Sequence, residues 1–480
     1  SSGGLDGSPT FQGGVVHNYS LNTCMNELLK KEKPLPSKTS SIEKDPAMKV
    51  MPWMLISAGL FSWAVRGSAG YGAIRGCIFA GLLWGITWYF LSKEKGSVKN
   101  RRYGMGWTVF ALTFGIGISG LQGWGDIVAL VRGTLVYQTE PKLFLPISQI
   151  PGFVYMFFLG FHWIGTGVVL LSWAGSKSPA TWKTWMGRIG SIAGGALIGI
   201  ALLYLLPQLF LPEYATLDNW DYTQYPKLED LHGEIFQCIL FSGATIGGLV
   251  HEIARKDWLN VKLILYPSVF VGLSWMLLIT IWELWVTPAA SDAGITFNWW
   301  RCWESTGGGA MGAGLSIAFW ICNKKLPENH EDQRKQPYSM YPNGERLFGV
   351  YFSIAAALAY STYQGILGWN VIAFNDSLSG SYPVYIGYLM PILLLCFLPF
   401  IWTCVRTIQT PSEPLDNKDV TPEFIPIYFI TFIILRELGL QVTWATTFNF
   451  SEIAFFVYYI VLAVVDICIA VWLVQRQKNR

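Results

Sequence analysis

Roughly twelve apolar stretches, each about 20 residues long, run through this chain, and no other feature limits its fold so tightly. They fall near residues 50–66, 73–92, 103–124, 150–173, 189–212, 235–253, 263–287, 302–322, 347–369, 384–405, 424–445 and 453–475. A helix of about 20 apolar residues crosses roughly 30 Å of hydrocarbon. The chain is 52% hydrophobic and 14% charged, whereas a soluble domain is about a quarter charged. The expected fold is all-α, a polytopic transmembrane bundle of about twelve helices.

Basic residues sort the connections. Lys93, Lys95, Lys99, Arg101 and Arg102 follow the second stretch, Lys177, Lys183 and Arg188 the fourth, and Arg255, Lys256 and Lys262 the sixth. Lys324, Lys325, Arg334, Lys335 and Arg346 follow the eighth, and Arg476, Lys478 and Arg480 the last. Lys and Arg beside membrane spans tend to stay cytoplasmic. These loops and both termini are therefore expected inside, opposite the segment from Glu213 to Glu234, where Lys227 stands against Asp218, Asp221, Glu229 and Asp230. Residues 406–423 fit poorly, since Arg406 and Lys418 are outnumbered there by acids. Residues 1–49 are expected to be a flexible polar N-terminal tail, with Gly and Ser dense from Ser1 to Gly14. Lys44 and Lys49 beside the first span favour a cytoplasmic N-terminus. The chain is expected to be integral to a plasma or inner membrane.

Two six-helix halves, 50–253 and 254–480, share landmarks. Arg66 precedes Gly72 as Arg301 precedes Gly307, and Gln122-Gly123 closes the third span as Gln364-Gly365 closes the ninth. Glu234-Ile235 and Glu452-Ile453 open the sixth and twelfth. A same-orientation duplication would explain these matches, and such repeats are common in transporters. Twelve helices in two like halves with both ends inside resemble the major facilitator superfamily in layout. That family carries a Gly-rich loop with an Asp and Arg residues after its second helix. Here Gly96, Arg101 and Arg102 are present, the Asp is missing and the spacing is irregular. The resemblance is one of topology.

Chemistry narrows to a few groups. The net charge of +3, with no basic patch interleaved with aromatics, gives no sign of a nucleic-acid partner. The eight Cys are scattered without a CxxC pair, so neither a disulfide framework nor a zinc site is indicated. No HExxH, Walker loop or GxSxG occurs, and no cofactor is expected. Gly115-Ile-Gly117-Ile-Ser-Gly120 matches GxGxxG but sits inside an apolar span, where it reads as helix packing. Gly pairs four apart, such as Gly195/Gly199 and Gly243/Gly247, suit close helix contact in lipid. Thr306-Gly307-Gly308-Gly309 reads as another contact surface or as a broken helix at a site.

Ionisable groups within spans are costly and mark function or interhelical bridges. Candidate solute-binding residues are Arg66, Arg301, Glu304, Arg436, Glu437, Asp466 and His162. Arg66, Arg301 and Glu304 lie near outer ends, where snorkelling is the plainer reading. As symmetry mates, Arg66 and Arg301 would instead hold an anionic solute. Arg436, Glu437, Asp466 and His162 lie deeper, with Asp466 the expected acid for Arg436 and His162 read as a satisfied packing residue. The 23 Trp divide between interface anchors and rings inside spans that would stack on a sugar or cage a cation. The leading expectation is a secondary transporter that meets the lipid bilayer and a small polar solute. The alternatives are an intramembrane enzyme acting on a lipid-linked substrate and a non-catalytic subunit of a membrane complex.

Overall fold

The chain is seen in a computed structural model that describes residues 46–68, 73–92, 103–104, 106–139, 142–174, 181–212, 225–295, 299–324, 345–357, 423–425, 427–428 and 450–478. It is mostly helical. The elements are α1 (Pro46–Ser68), α2 (Ala73–Ser92), α3 (Gly106–Ser119), α4 (Ile127–Val131), β1 (Thr134–Thr139) and β2 (Lys142–Pro146). Next come α5 (Ile150–Ala174), α6 (Trp182–Leu205), α7 (Pro207–Phe210), α8 (Pro226–Ala254), α9 (Trp258–Ile281) and α10 (Thr287–Asp292). Last are α11 (Trp299–Asn323), a π-helical segment Glu345–Phe352, and α12 (Phe450–Lys478).

Among the described residues five helices are long and apolar enough to cross a membrane: α5, α6, α8, Trp258–Asp292, and Val457–Arg476 within α12. In lipid no water is present to satisfy backbone groups, and a helix satisfies them internally. The chain is thus membrane-embedded. Of the twelve expected spans, most of 347–369, all of 384–405 and most of 424–445 lie outside the described residues. Local signals set several ends. Thr181 caps α6 by accepting from Thr184 N at 3.3 Å, and Asp257 caps α9 by accepting from Asn260 N at 3.4 Å. Pro226 begins α8, where its missing N–H leaves no donor unmet.

Two features depart from the expectation. The fold is not purely α: β1 and β2 pair antiparallel, with Thr134 opposite Pro146 and Thr139 opposite Lys142. Gly133, at φ +73°, turns the chain out of α4 into β1, a conformation glycine adopts without a Cβ clash. The second departure extends α9, which continues through a π-helical turn, Trp282–Val286, into α10. A π turn holds one residue more than an α turn, so side chains beyond it are rotated about the helix axis.

Contacts fix the relative direction of each helix. α1 runs antiparallel to α11, with Gly59 on Gly308 and Gly312 on Leu55. A methyl at Gly59 or Gly308 would overlap the other's carbonyl, so only glycine lets these backbones meet. α2 and α3 oppose each other through Gly81 on Leu112 and Gly85 on Val109, and α5 opposes α9 through Gly160 on Val271 and Gly272 on Phe157. α6 opposes α8 through Gly195 on Gly243 and Ser191 on Gly247. α5 and α8 run parallel, as Cys238 lies on Tyr155 and Gly248 on Val169. α12 opposes α1, with Asp466 on Ser57 and Tyr459 on Phe61. From α1 to α11 the long helices alternate in direction, while α11 and α12, both opposed to α1, run the same way.

Residues flanking three of the basic loops meet at one end: Tyr103, Ser172, Glu252 and Asp257 all gather on Asn260. The opposite end holds Gln122, Asp126, Lys227 and Glu234. The two expected halves interlock, because α1 packs on α11 and α5 on α9.

Candidate functional site

Indoles from five helices and one turn form a continuous column through the core. Half-buried Trp300 stacks on Trp124 at 4.7 Å between ring centroids, and Trp124 meets Trp275 edge-on at 5.4 Å. Trp275 meets Trp163 at 4.7 Å, Trp163 meets Trp63 at 5.2 Å, and Trp63 meets Trp84 at 5.9 Å. Trp303 packs beside Trp300 at 5.2 Å. Edge-to-face and offset contacts at these separations suit the ring quadrupoles. Small residues make the room: a Cβ on Gly307 would collide with the Trp275 ring, and one on Gly308 with Trp63. α11 runs unbroken through Thr306-Gly307-Gly308-Gly309, so that run is a packing surface for indoles.

The column holds polar atoms with nothing described to bond. Trp275 Nε1 and Trp303 Nε1 are buried without a hydrogen-bond partner among the described residues. Trp84 differs, since its Nε1 donates to Leu55 O at 3.0 Å. His162 follows the same rule as Trp275. It is fully buried, stacks on Phe241 at 5.5 Å, and neither ring nitrogen has a described hydrogen-bond partner. The expectation of a satisfied packing histidine is corrected to that extent: it packs, but its nitrogens are unmet.

Charged groups line the same region. Arg301 and Glu304 are 2% and 1% exposed, one turn apart on α11. Protein covers both, so neither snorkels to an interface. The Arg301 guanidinium lies 5.4 Å over the Phe455 ring. Ser305 Oγ donates to Leu60 O at 3.0 Å and lies 2.9 Å from Tyr458 OH. Within the π turn, Glu283 pairs with Arg132, and Trp282 Nε1 donates to Thr306 Oγ1 at 3.1 Å.

Asp466 occupies a separate place on α12. Ser57 Oγ donates to its Oδ1 and Tyr428 OH to its Oδ2 at 3.1 Å, while Thr87 Oγ1 lies 3.0 Å from Tyr428 OH. Arg436, the expected partner, and Glu437 lie outside the described residues, as does Gln364. The side chain of Arg66, in the last turn of α1, also lies outside them, so its matching with Arg301 has no structural counterpart here. The structure buries Arg301 and Glu304 on α11, the helix that carries Trp300 and Trp303, and sets Asp466 among hydroxyls.

Two other polar clusters lie at opposite ends of the helices. Glu234 Oε2 accepts from Asp126 N and Ile127 N, each at 3.0 Å, and Gln122 Nε2 donates to Glu234 O at 2.8 Å. This ties the turn after α3 to α8. Burial pushes the Asp126 carboxyl up, against the pull of Lys227 at 3.7 Å. At the other end Asn260 Nδ2 donates to Ser172 O and Glu252 Oε2, both at 3.0 Å, and Tyr103 OH donates to Asn260 Oδ1 at 2.6 Å. The signal available for each was a lone polar residue in an apolar or turn setting. Among the described residues no three His, Cys, Asp or Glu side chains converge as metal ligands would.

Compared with known proteins, the chain matches no family model, no curated protein and no solved structure.

Proposed function

We propose that this chain is a multi-pass secondary transporter of a small polar solute, with the indole column as the place where the solute is held. The observation that carries the reading is the set of buried donors at Trp275, Trp303 and His162, among stacked aromatic faces, that meet no hydrogen-bond partner among the described residues. A buried polar atom without a partner costs about 1–3 kcal/mol, so its retention asks for a compensating role. A solute with an apolar ring face and hydroxyl or amide oxygens supplies one. Its face stacks on indole, and its oxygens accept from the N–H groups. Arg301 and Glu304, buried at the end of the column beside half-buried Trp300, suit charge or hydroxyl recognition at the entrance. Alternating helix directions agree with a chain that crosses the membrane repeatedly. The basic residues around Asn260 support a cytoplasmic side for that end and for both termini, in a plasma or inner membrane.

The test is uptake into proteoliposomes holding the purified full chain, run over a panel of neutral sugars, amino acids and organic cations. At least one class should enter faster than into protein-free liposomes, with Trp303→Phe lowering its rate about tenfold for the lost donor. Uptake equal to protein-free liposomes across the whole panel overturns the reading.

A further inference from the structure

Asp466 has its surroundings built from hydroxyls, and their hydrogens can be placed one by one. Ser57 Oγ reaches Asp466 Oδ1 on one side and Met54 O at 3.3 Å on the other. Beyond Asp466 Oδ2, Tyr428 OH stands at 3.1 Å, Thr87 Oγ1 at 3.0 Å from that hydroxyl, and Leu83 O at 2.7 Å from Thr87 Oγ1. The groups form one line, with a backbone carbonyl closing each end. Each hydroxyl carries one hydrogen and accepts at its oxygen.

With the carboxyl ionised, Ser57 and Tyr428 both donate to it, and Thr87 donates to Tyr428 or to Leu83 O. With the carboxyl protonated, its own O–H donates to Tyr428, the Tyr428 hydrogen turns to Thr87, and the Thr87 hydrogen goes to Leu83 O. Every donor is met in both states, and the change requires only rotation about C–O bonds. An ion pair would hold the group in one state. Among the described residues hydroxyls alone hold it, and they can bond either state, the ionised one more strongly.

We infer that Asp466 is a reversible proton-binding site within the membrane, with Tyr428, Thr87 and Ser57 as the switchable donors that stabilise both of its forms. The step is the transfer of one proton from water to a carboxylate oxygen, forming a neutral carboxyl, and its return to water. The elements around Asp466 present little else that titrates. α1 faces it with Ser57, α2 with Thr87, and the 427–428 segment with Tyr428, the one titratable neighbour among the described residues. Other charges on or against these elements are placed elsewhere: Lys49 and Arg66 near the two ends of α1, Glu423 accepting from Tyr351 at 2.7 Å, Arg301 over Phe455 and Arg476 over Trp472. Within the transport reading this is where a proton couples to solute movement, but the proton site stands without that reading.

The experiment is pH-difference infrared spectroscopy of the purified full chain in phosphatidylcholine vesicles, with no solute added. A carboxylic C=O band should grow and fade reversibly between about pH 5 and pH 9. It should vanish in Asp466→Asn and persist in Glu304→Gln. Tyr428→Phe, which keeps the ring and removes one link, should move the midpoint by about one pH unit, the scale of one hydrogen bond to a charged group. Tyr428→Phe also serves if Asp466→Asn does not fold. A titrating band unchanged by Asp466→Asn or by Tyr428→Phe overturns the proposal, as does an Asp466 band that ignores pH. Failure of every uptake assay leaves this readout intact, so the two readings fail separately.

Discussion

Asn260, where the basic loops meet, donates from its amide to Ser172 and Glu252 and accepts from Tyr103, whereas Trp275, Trp303 and His162 in the indole column keep ring nitrogens with no described bond. Both sets are buried, so the same desolvation acts on each. Around Asn260 the amide's cost is met by neighbours from α5, α8 and the residue that leads into α3, although Glu252 Oε1 there meets no partner among the described residues, and the network joins three chain segments. In the column it is left standing. The buried donors of the column that meet no partner among the described residues are where an outside molecule would have something to bond.

The largest expected effect tests the structural side. Asn260→Leu strands the Tyr103 hydroxyl and one Glu252 oxygen, and should cost about 3 kcal/mol. Denaturant unfolding in mild detergent reads it, and an unchanged midpoint would dissolve the contrast. Next is Glu283→Ala, which leaves Arg132 without its pair. Arg132 is 48% exposed, so water takes up much of the loss, and about 1 kcal/mol is expected from the same unfolding curve. A smaller change has the opposite sign. Lys256 sits at φ 57° in the turn that presents Asp257, and Lys256→Gly should stabilise by about 0.5 kcal/mol by relieving the left-handed conformation. Smallest in stability, and sharpest for the comparison, are His162→Phe and Trp303→Phe. Each removes a donor that bonds nothing described, and the relief of that cost is offset by the poorer fit of the new ring, so unfolding should move by less than about 0.5 kcal/mol while solute uptake falls. A loss of several kcal/mol in either would mean that these nitrogens are structural after all.

Much of the fold and the site is readable from the residues alone, and the gaps have physical causes. Arg301, Glu304, Asp466 and His162 stand out because a polar group in an apolar run is costly wherever the helix lies. Their partners do not. Asp466 is expected to meet an arginine on the neighbouring span, and its described partners are Ser57, 409 positions away, and Tyr428. The β1–β2 hairpin goes unseen because its short strands lie in a connection whose pattern gives no long period. Glu283 lies in the π turn and pairs with Arg132, a contact that follows a shift in phase absent from an ideal helical repeat. Tryptophan abundance is plain, but which rings touch depends on Gly160, Gly307 and Gly308 making room across helices.

What the amino-acid order determined alone is what depends on short stretches. Apolar length made helices suited to lipid, basic residues marked one set of helix ends, and small residues four apart marked faces for close contact. The transfer of a side chain or a peptide group out of water is a local cost, incurred residue by residue, so a local pattern predicts it. Which helix meets which was decided by tertiary structure: α1 on α11, the indoles of five helices in one column, and a carboxyl on α12 among hydroxyls of α1, α2 and the 427–428 segment. Hydrogen bonds and ring contacts act over a few ångströms between residues hundreds of positions apart, and only the folded chain brings them within that reach.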